Sequence, residues 1–402
     1  IVVVAQKKSI TGIITDTAVV VGTVSDYLTA KGDAKLYNIN LPAGVYLQAQ
    51  LTTPANADLD YDLYLLDAEG NILTGSDYYT YINGTAGTLP EALGYITSGD
   101  TATYYLYVLA SEGGSVSESF TLDYSVSTAC DSYEIDESVR QALAFTYGAG
   151  GAYIESRNLS SPIDNDWYVI TVPSSRIYDK LKISATTAST NTCSVEVYQN
   201  VASEGYQMKR VGSGNTISVS SGKYYIRVSN AKTMENFDDL DIQNYKLSIT
   251  PILKATGIVI TDLKGSEGLN KVVNYPGYGA HFRTQGSGTL TVYGVLTATD
   301  SSTGVTYAVG GEQINGLYYS PAWEANNTSA NAIRRGTGTT DSSGKFEIDI
   351  SLPPGIGVYS YYGSTSTHYF DICGVSVSPS DDSSISASET IFHLAYTMYH
   401  PF

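Results

Sequence analysis

Along most of the chain, apolar and polar residues alternate at every second position, the period of a half-buried strand. The segments "KLYNINL", "YLQAQLTT", "YDLYLLD", "TYYLYVLA", "FTLDYSVS", "WYVITVP", "KLKISATT", "SVEVYQN", "KYYIRVS", "YKLSITP", "GIVITDL", "LTVYGVLTAT" and "KFEIDISLP" all follow it. Turn signals such as "AEGN", "SGDT", "SSGK" and "DSSGK" separate many of them. Helical periodicity is scarce. Its best instance is "DESVRQALAF", Asp136 to Phe145, where an acidic start and the i, i+4 pair Val139 and Leu143 predict about two turns. Many short strands with regular turns predict an all-β chain of sandwiches.

Three blocks recur in the same order. "GDAKLYNINLPAG" (Gly32 to Gly44) returns as "DNDWYVITVPSS" (Asp164 to Ser175). "SGDTATYYLYVLA" (Ser98 to Ala110) returns as "VSSGKYYIRVSNA" (Val219 to Ala231), and "SFTLDYSVS" (Ser119 to Ser127) as "NYKLSITPI" (Asn244 to Ile252). The repeat predicts two domains of one design, 1–128 and 129–252, and leaves 253–402 as a third.

With "YDLYLLDAEG" in the first copy and "CDSYEIDESVRQALAF" leading into the second, these blocks resemble the bacterial pre-peptidase C-terminal domain family. The resemblance implies a jelly-roll-like sandwich, an accessory module of secreted enzymes and surface proteins. Some members of that family bind calcium near the acidic lead-in. Carried onto this chain, that implies Asp131, Glu134, Asp136 and Glu137, gathered with Asp164 and Asp166. In the last segment, "GTGTTDSSGKFEIDISLPPG" (Gly336 to Gly355) resembles the middle hairpin of immunoglobulin-like and carboxypeptidase-regulatory-like sandwiches. The expected architecture is therefore three β-sandwiches in series, two jelly-roll-like and one Ig-like.

A second acidic stretch, "ADLDYDLYLLDAEGN", places Asp58, Asp60 and Asp62 at alternate positions. They match the first three ligand positions of an EF-hand loop, with Glu69 at the twelfth, but Leu63 stands where the loop needs glycine. A strand has no such conflict: Leu59, Tyr61, Leu63 and Leu65 face a core, while Asp58, Asp60, Asp62 and Tyr64 face outward. The outward carboxylates form a solvated face or a surface calcium site, the former favoured.

Composition narrows the partners. The chain has 402 residues, of which 42% are hydrophobic and only 15% charged, a profile that is not disorder, and its net charge of −18 opposes nucleic acid as a partner. No apolar run approaches the ~20 residues of a membrane span. The opening "IVVVAQKKSITGIITD" is read as a first strand able to complete a neighbour's sheet. Copies of the chain or other surface proteins are then its partners, with extracellular polysaccharide or protein as alternatives. Cys130 and Cys193 leave pairing open, and Cys373 reads as a buried small residue. Sequons at Asn83, Asn158, Asn326 and Asn327 are weakly consistent with an exported, cell-surface protein.

Reactive chemistry is sparse. The four histidines, His281, His368, His393 and His400, form no known motif and are expected at the surface or rim. No catalytic residue is predicted. Tyr318, Trp323 and Tyr361, in "LYYSPAW" and "YSYYGSTSTHYF", are the candidates for a ligand-binding face. The expected function is a non-catalytic extracellular protein for adhesion or structural assembly; the alternative is a carbohydrate- or protein-binding accessory module of a secreted hydrolase.

Overall fold

The computed structural model describes residues 6–9, 19–56, 58–77, 79–82, 85–86, 89–128, 130–187, 193–201, 207–213, 215–230, 243–265, 270–274, 280–283, 288–325, 332–362 and 366–400. The chain is all-β, in multiple, mainly antiparallel sheets. It forms two compact units, one of Ile1–Ser174 with Asp179–Ile252, the other of Ser175–Tyr178 with Leu253–Phe402. The expected boundary at 128/129 falls inside the first unit.

The first unit holds two sandwiches of matching design. In the first, one sheet runs in the order Gln6–Ser9, Ala34–Leu41, Ala102–Glu112, Asp60–Leu66, Ile72–Ser76. It faces Val19–Asp26, Phe120–Ser127, Tyr46–Thr52 and Glu91–Ile96. The second sandwich begins Leu143–Ala144, Asn165–Val172, Gly222–Ser229, Ser194–Asn200, Gln207–Ser213, opposite Ala152–Leu159, Gln243–Leu253, Tyr178–Thr187 and Thr216–Ser218. Strand for strand the orders correspond, and each recurring sequence block lies on a corresponding strand. Both copies even start with a parallel edge strand, Gln6–Ser9 on Ala34–Leu41 and Leu143–Ala144 on Asn165–Val172.

The first copy has an insertion, the strands Tyr79–Ile82 and Thr85–Ala86. Tyr79–Ile82 pairs in parallel with Gln207–Ser213 of the second copy. A sheet thus runs from one sandwich into the other within this unit. The alternation does its work in the first core, where Tyr37, Tyr61, Leu63, Leu65, Leu106 and Phe120 are all fully buried.

Two local expectations need correction. Asp136 to Phe145 is not a two-turn helix: only Val139–Gln141 winds, as a 3-10 turn. Asp136 and Glu137 are drawn into a polar cluster, and by Leu143 the chain is extended and paired with Tyr168. In the second unit, Ile333–Thr339 and Lys345–Leu352 are joined by the expected turn, in which Asp341 Oδ1 accepts from the Ser343 and Lys345 amides. They are not paired as a hairpin, however. The first strand pairs with Gln313–Tyr319 and the second with Gly288–Thr299, in different sheets. Glycine permits this face-to-face arch: a Cβ at Gly336 would fall 2.2 Å from the Asp349 carbonyl oxygen, and one at Gly338 2.3 Å from that of Glu347.

The second unit packs the four-stranded sheet around Gly288–Thr299 against the seven-stranded sheet around Ser366–Pro379, over a core including Val292, Ile314, Ile348 and Val375. Cys130 and Cys193 are free thiols. The N-terminal Ile1 to Ala5 and the sequons Asn83, Asn326 and Asn327 lie outside the described residues.

A candidate cation site at the seam of two sandwiches

The acidic lead-in to the second copy turns back on itself. Ile135 holds φ at 83°, a conformation a β-branched residue adopts only under constraint. On either side of it, Glu134 and Asp136 point toward Asp166, and Glu134 also meets Glu137 and Asp164. Among the described residues, two groups have ligand oxygens all within 4.8 Å: Glu134, Asp136 and Asp166, and Glu134, Glu137 and Asp164. Asp131 stands beside them, accepting from the amides of Tyr133 at 2.7 Å and Asn158 at 2.9 Å. The six carboxylates that the lead-in resemblance implied are therefore brought together.

One guanidinium pairs with three of the six. Arg157 is fully buried and reaches Asp131 Oδ1 at 2.8 Å, Asp136 Oδ2 in a short contact, and Asp166 Oδ1 at 3.2 Å. Its Nε donates to Tyr168 Oη at 2.7 Å, Tyr168 shares a hydrogen bond with Tyr245, and Tyr245 donates to Asp166. Alternation alone misses this arginine. A bulge between Ile154 and Arg157, with Ser156 at φ 63°, turns its side chain inward.

One cation does not balance the site. Burial first, and the charge of Asp164 next, push the Glu134 carboxyl up to about 9. Burial and neighbouring carboxylates likewise raise Asp136, Glu137 and Asp166 well above the usual range. Several oxygens here are buried with no hydrogen-bond partner: Glu134 Oε2, Asp136 Oδ1, Asp164 Oδ1 and, from the first sandwich, Gln48 Oε1. Such atoms cost about 1–3 kcal/mol each when left bare. The donor set is all oxygen, which fits a hard divalent cation.

Among the described residues, Asp58, Asp60 and Asp62 belong to no group whose ligand oxygens all lie within 4.8 Å of one another. Side chains on one strand face repeat at roughly 7 Å and cannot close around an ion. Tyr61, Leu63 and Leu65 line the core as expected. Asp62 is also buried, at 8% exposure, and accepts from Ser111 Oγ and Tyr64 Oη, each at 3.3 Å. Its carboxyl is pushed up to about 7, by burial first and then by Asp60 and Asp77.

The proposed ligand-binding rings fare differently. Tyr318 is fully buried, its hydroxyl shared with His393 Nδ1 at 2.9 Å and Cys373 Sγ at 3.1 Å. Strand phase explains the correction, since the next ring, Tyr319, takes the outward face. Trp323 is half-buried on the short helix Pro321–Ala325 and donates its ring N–H to the Pro354 carbonyl at 3.0 Å. The side chain of Tyr361 lies outside the description. His393 is a core residue, not a rim one, and burial pushes it down to about 4, keeping the ring neutral.

No family model matches the chain. A curated relative, the uncharacterized protein YlqB of Bacillus subtilis (strain 168), is 36% identical over 74 residues, which are 18% of this chain and 46% of that protein. The chain thus spans less than half of that relative's length. Among solved structures, the pre-peptidase C-terminal domain of a Bacillus anthracis collagenase matches with 16% identity and a TM-score of 0.20, over 31% of this chain and 94% of that one. PliG of Aeromonas hydrophila, a periplasmic inhibitor of g-type lysozyme, matches with 9% identity and a TM-score of 0.21, over 30% and 98%. At these scores the likenesses carry no functional argument.

Proposed function

We propose that the chain is a non-catalytic extracellular surface protein that acts in adhesion or as a structural subunit of an extracellular assembly, with calcium as a structural ion in the carboxylate cluster. Three sandwiches in series, 1–128, 129–252 and 253–402, the first two of pre-peptidase C-terminal type, are part of the same proposal. The carrying observation is the set of buried, partnerless oxygens where six carboxylates gather and one guanidinium pairs with three of them. Calcium takes six to eight oxygen ligands, and extracellular modules need only bind it at about 10⁻⁴–10⁻³ M. When bound, it would supply charge compensation rather than a reaction centre, held by Glu134, Asp136, Glu137, Asp164 and Asp166.

The histidine and cysteine chemistry favours a structural role. Cys373 and His393 sit in the core, where burial raises the thiol and lowers the imidazole, so neither is a poised nucleophile or base. Outward rings in the second unit, with Tyr359 half exposed at 50%, favour a second reading as a polysaccharide- or protein-binding accessory module.

Calorimetric titration of the chelator-treated full chain with calcium, paired with thermal unfolding, tests the ion. Saturable binding with a raised melting temperature is expected; no heat and no shift would remove calcium from the proposal. Pull-downs on collagen and polysaccharides, with and without chelator, separate the two functions. Retention on one polymer would favour the accessory module, and no retention the structural subunit.

A further inference from the structure

The carboxylates all belong to the second sandwich, but the first also reaches the cluster. Gln48, on Tyr46–Thr52, is 1% exposed. Its Nε2 donates to Glu137 Oε1 at 2.8 Å, fixing the amide, and Tyr46 Oη donates to the same oxygen. The other carboxylate oxygen of Glu137 accepts from the Asn165 amide at 2.9 Å, so one side chain is held by both sandwiches. The Gln48 carbonyl oxygen is left buried without a partner, as is Asp164 Oδ1, whose carboxylate feels the same Gln48 amide. The Gln48 amide thus sits against the Glu137 and Asp164 carboxylates, and a cation beside it would give its unpartnered carbonyl oxygen a partner. The adjacent strand makes room: a Cβ at Gly94 would lie 2.7 Å from Glu137 Cγ and 2.5 Å from Tyr46 Oη.

We infer that the cation site is composite, with the Gln48 carbonyl oxygen of the first sandwich as a ligand beside the carboxylates of the second, so that the bound ion fastens the two sandwiches together. This rests on the cluster being a cation site, as proposed above. It assigns a ligand that no acidic motif marks, and it makes the stiffness of the tandem depend on the ion.

The test uses the full chain and calcium chloride. Calorimetry is run on wild type, Gln48→Leu and Gln48→Glu, with hydrogen exchange of wild type with and without calcium. Gln48→Leu is expected to weaken calcium binding by about tenfold or more. Gln48→Glu, which keeps an oxygen in place, is expected to restore it. Calcium is expected to slow exchange in Tyr46–Thr52 and Glu91–Ile96, strands with no cluster carboxylate. Unchanged affinity in a folded Gln48→Leu overturns the inference. If that variant does not fold, slowing confined to 131–137 and 160–166 of wild type overturns it. Wild type that binds no calcium sinks the proposed ion itself, an outcome distinct from binding without coupling.

Discussion

The two acidic stretches of the first unit differ in one respect that decides their chemistry. In the first sandwich the carboxylates follow each other along the chain into a single strand, where Asp62 lies under Tyr64 and beside Ser111 and feels Asp60 and Asp77. In the second they arrive from a turn at 131–137, a turn ending at Asp164 and the start of Asn165–Val172, with Arg157 entering from a bulged strand. Acid density along one strand disperses charge. Convergence needs chain reversals, and here it takes a backbone strained at Ile135, a cost on the order of 1–3 kcal/mol. A binding energy or a structural constraint must offset that strain, and the ladder needs none.

Removing the buried Arg157 charge should give the largest effect and sharpen this contrast. Arg157→Met leaves Asp131, Asp136 and Asp166 without their counter-charge and is expected to cost about 3–5 kcal/mol in chelator, measured by urea unfolding. Added calcium should recover part of the loss, because an ion supplies the charge that Met cannot. A neutral effect would mean the carboxylates are protonated and need no compensation.

Neutralising one acid from each stretch comes next. Asp164→Asn should abolish the calcium-dependent gain, about 2.7 kcal/mol at a hundredfold excess over the dissociation constant. It should also raise stability in chelator, since one repelling charge is gone. Asp60→Asn should leave the calcium-dependent gain intact. Equal losses in the two variants would erase the distinction between ladder and cluster.

How much of this was legible follows from what each residue answers to. Strand identity answers to local alternation, so Tyr61, Leu63 and Leu65 were placed correctly from sequence. The repeated blocks likewise located corresponding strands. The cluster's membership was implied by a family resemblance, because nothing local tells Asp164 to meet Glu134. Arg157 and Gln48 were invisible: one depends on a bulge that reverses side-chain phase, the other on a different sandwich packing against the lead-in. Tyr318 was misplaced for a smaller reason, a one-residue choice of face between it and Tyr319. The arch at Asp341 had the turn residues of a hairpin, and its strands join two sheets that Gly336 and Gly338 let pack closely.

The smallest effect expected belongs to the ladder and concerns pH. The Asp62 carboxyl is raised to about 7 in the folded chain, chiefly by burial, against ~3.9 when unfolded. Between those values the folded chain holds the proton and the unfolded chain does not. Stability from this group is therefore present below about pH 4 and is lost as pH rises to about 7. The groups facing it are Asp60 and Asp77, which oppose its ionisation, and Ser111 and Tyr64, which favour it. Asp62→Asn should flatten the stability profile over that window by on the order of 1 kcal/mol after solvent screening. The profiles are best compared in saturating calcium, where the lead-in carboxylates no longer titrate freely. Parallel profiles for the two proteins would mean that the Asp62 carboxyl titrates alike in the folded and unfolded chain.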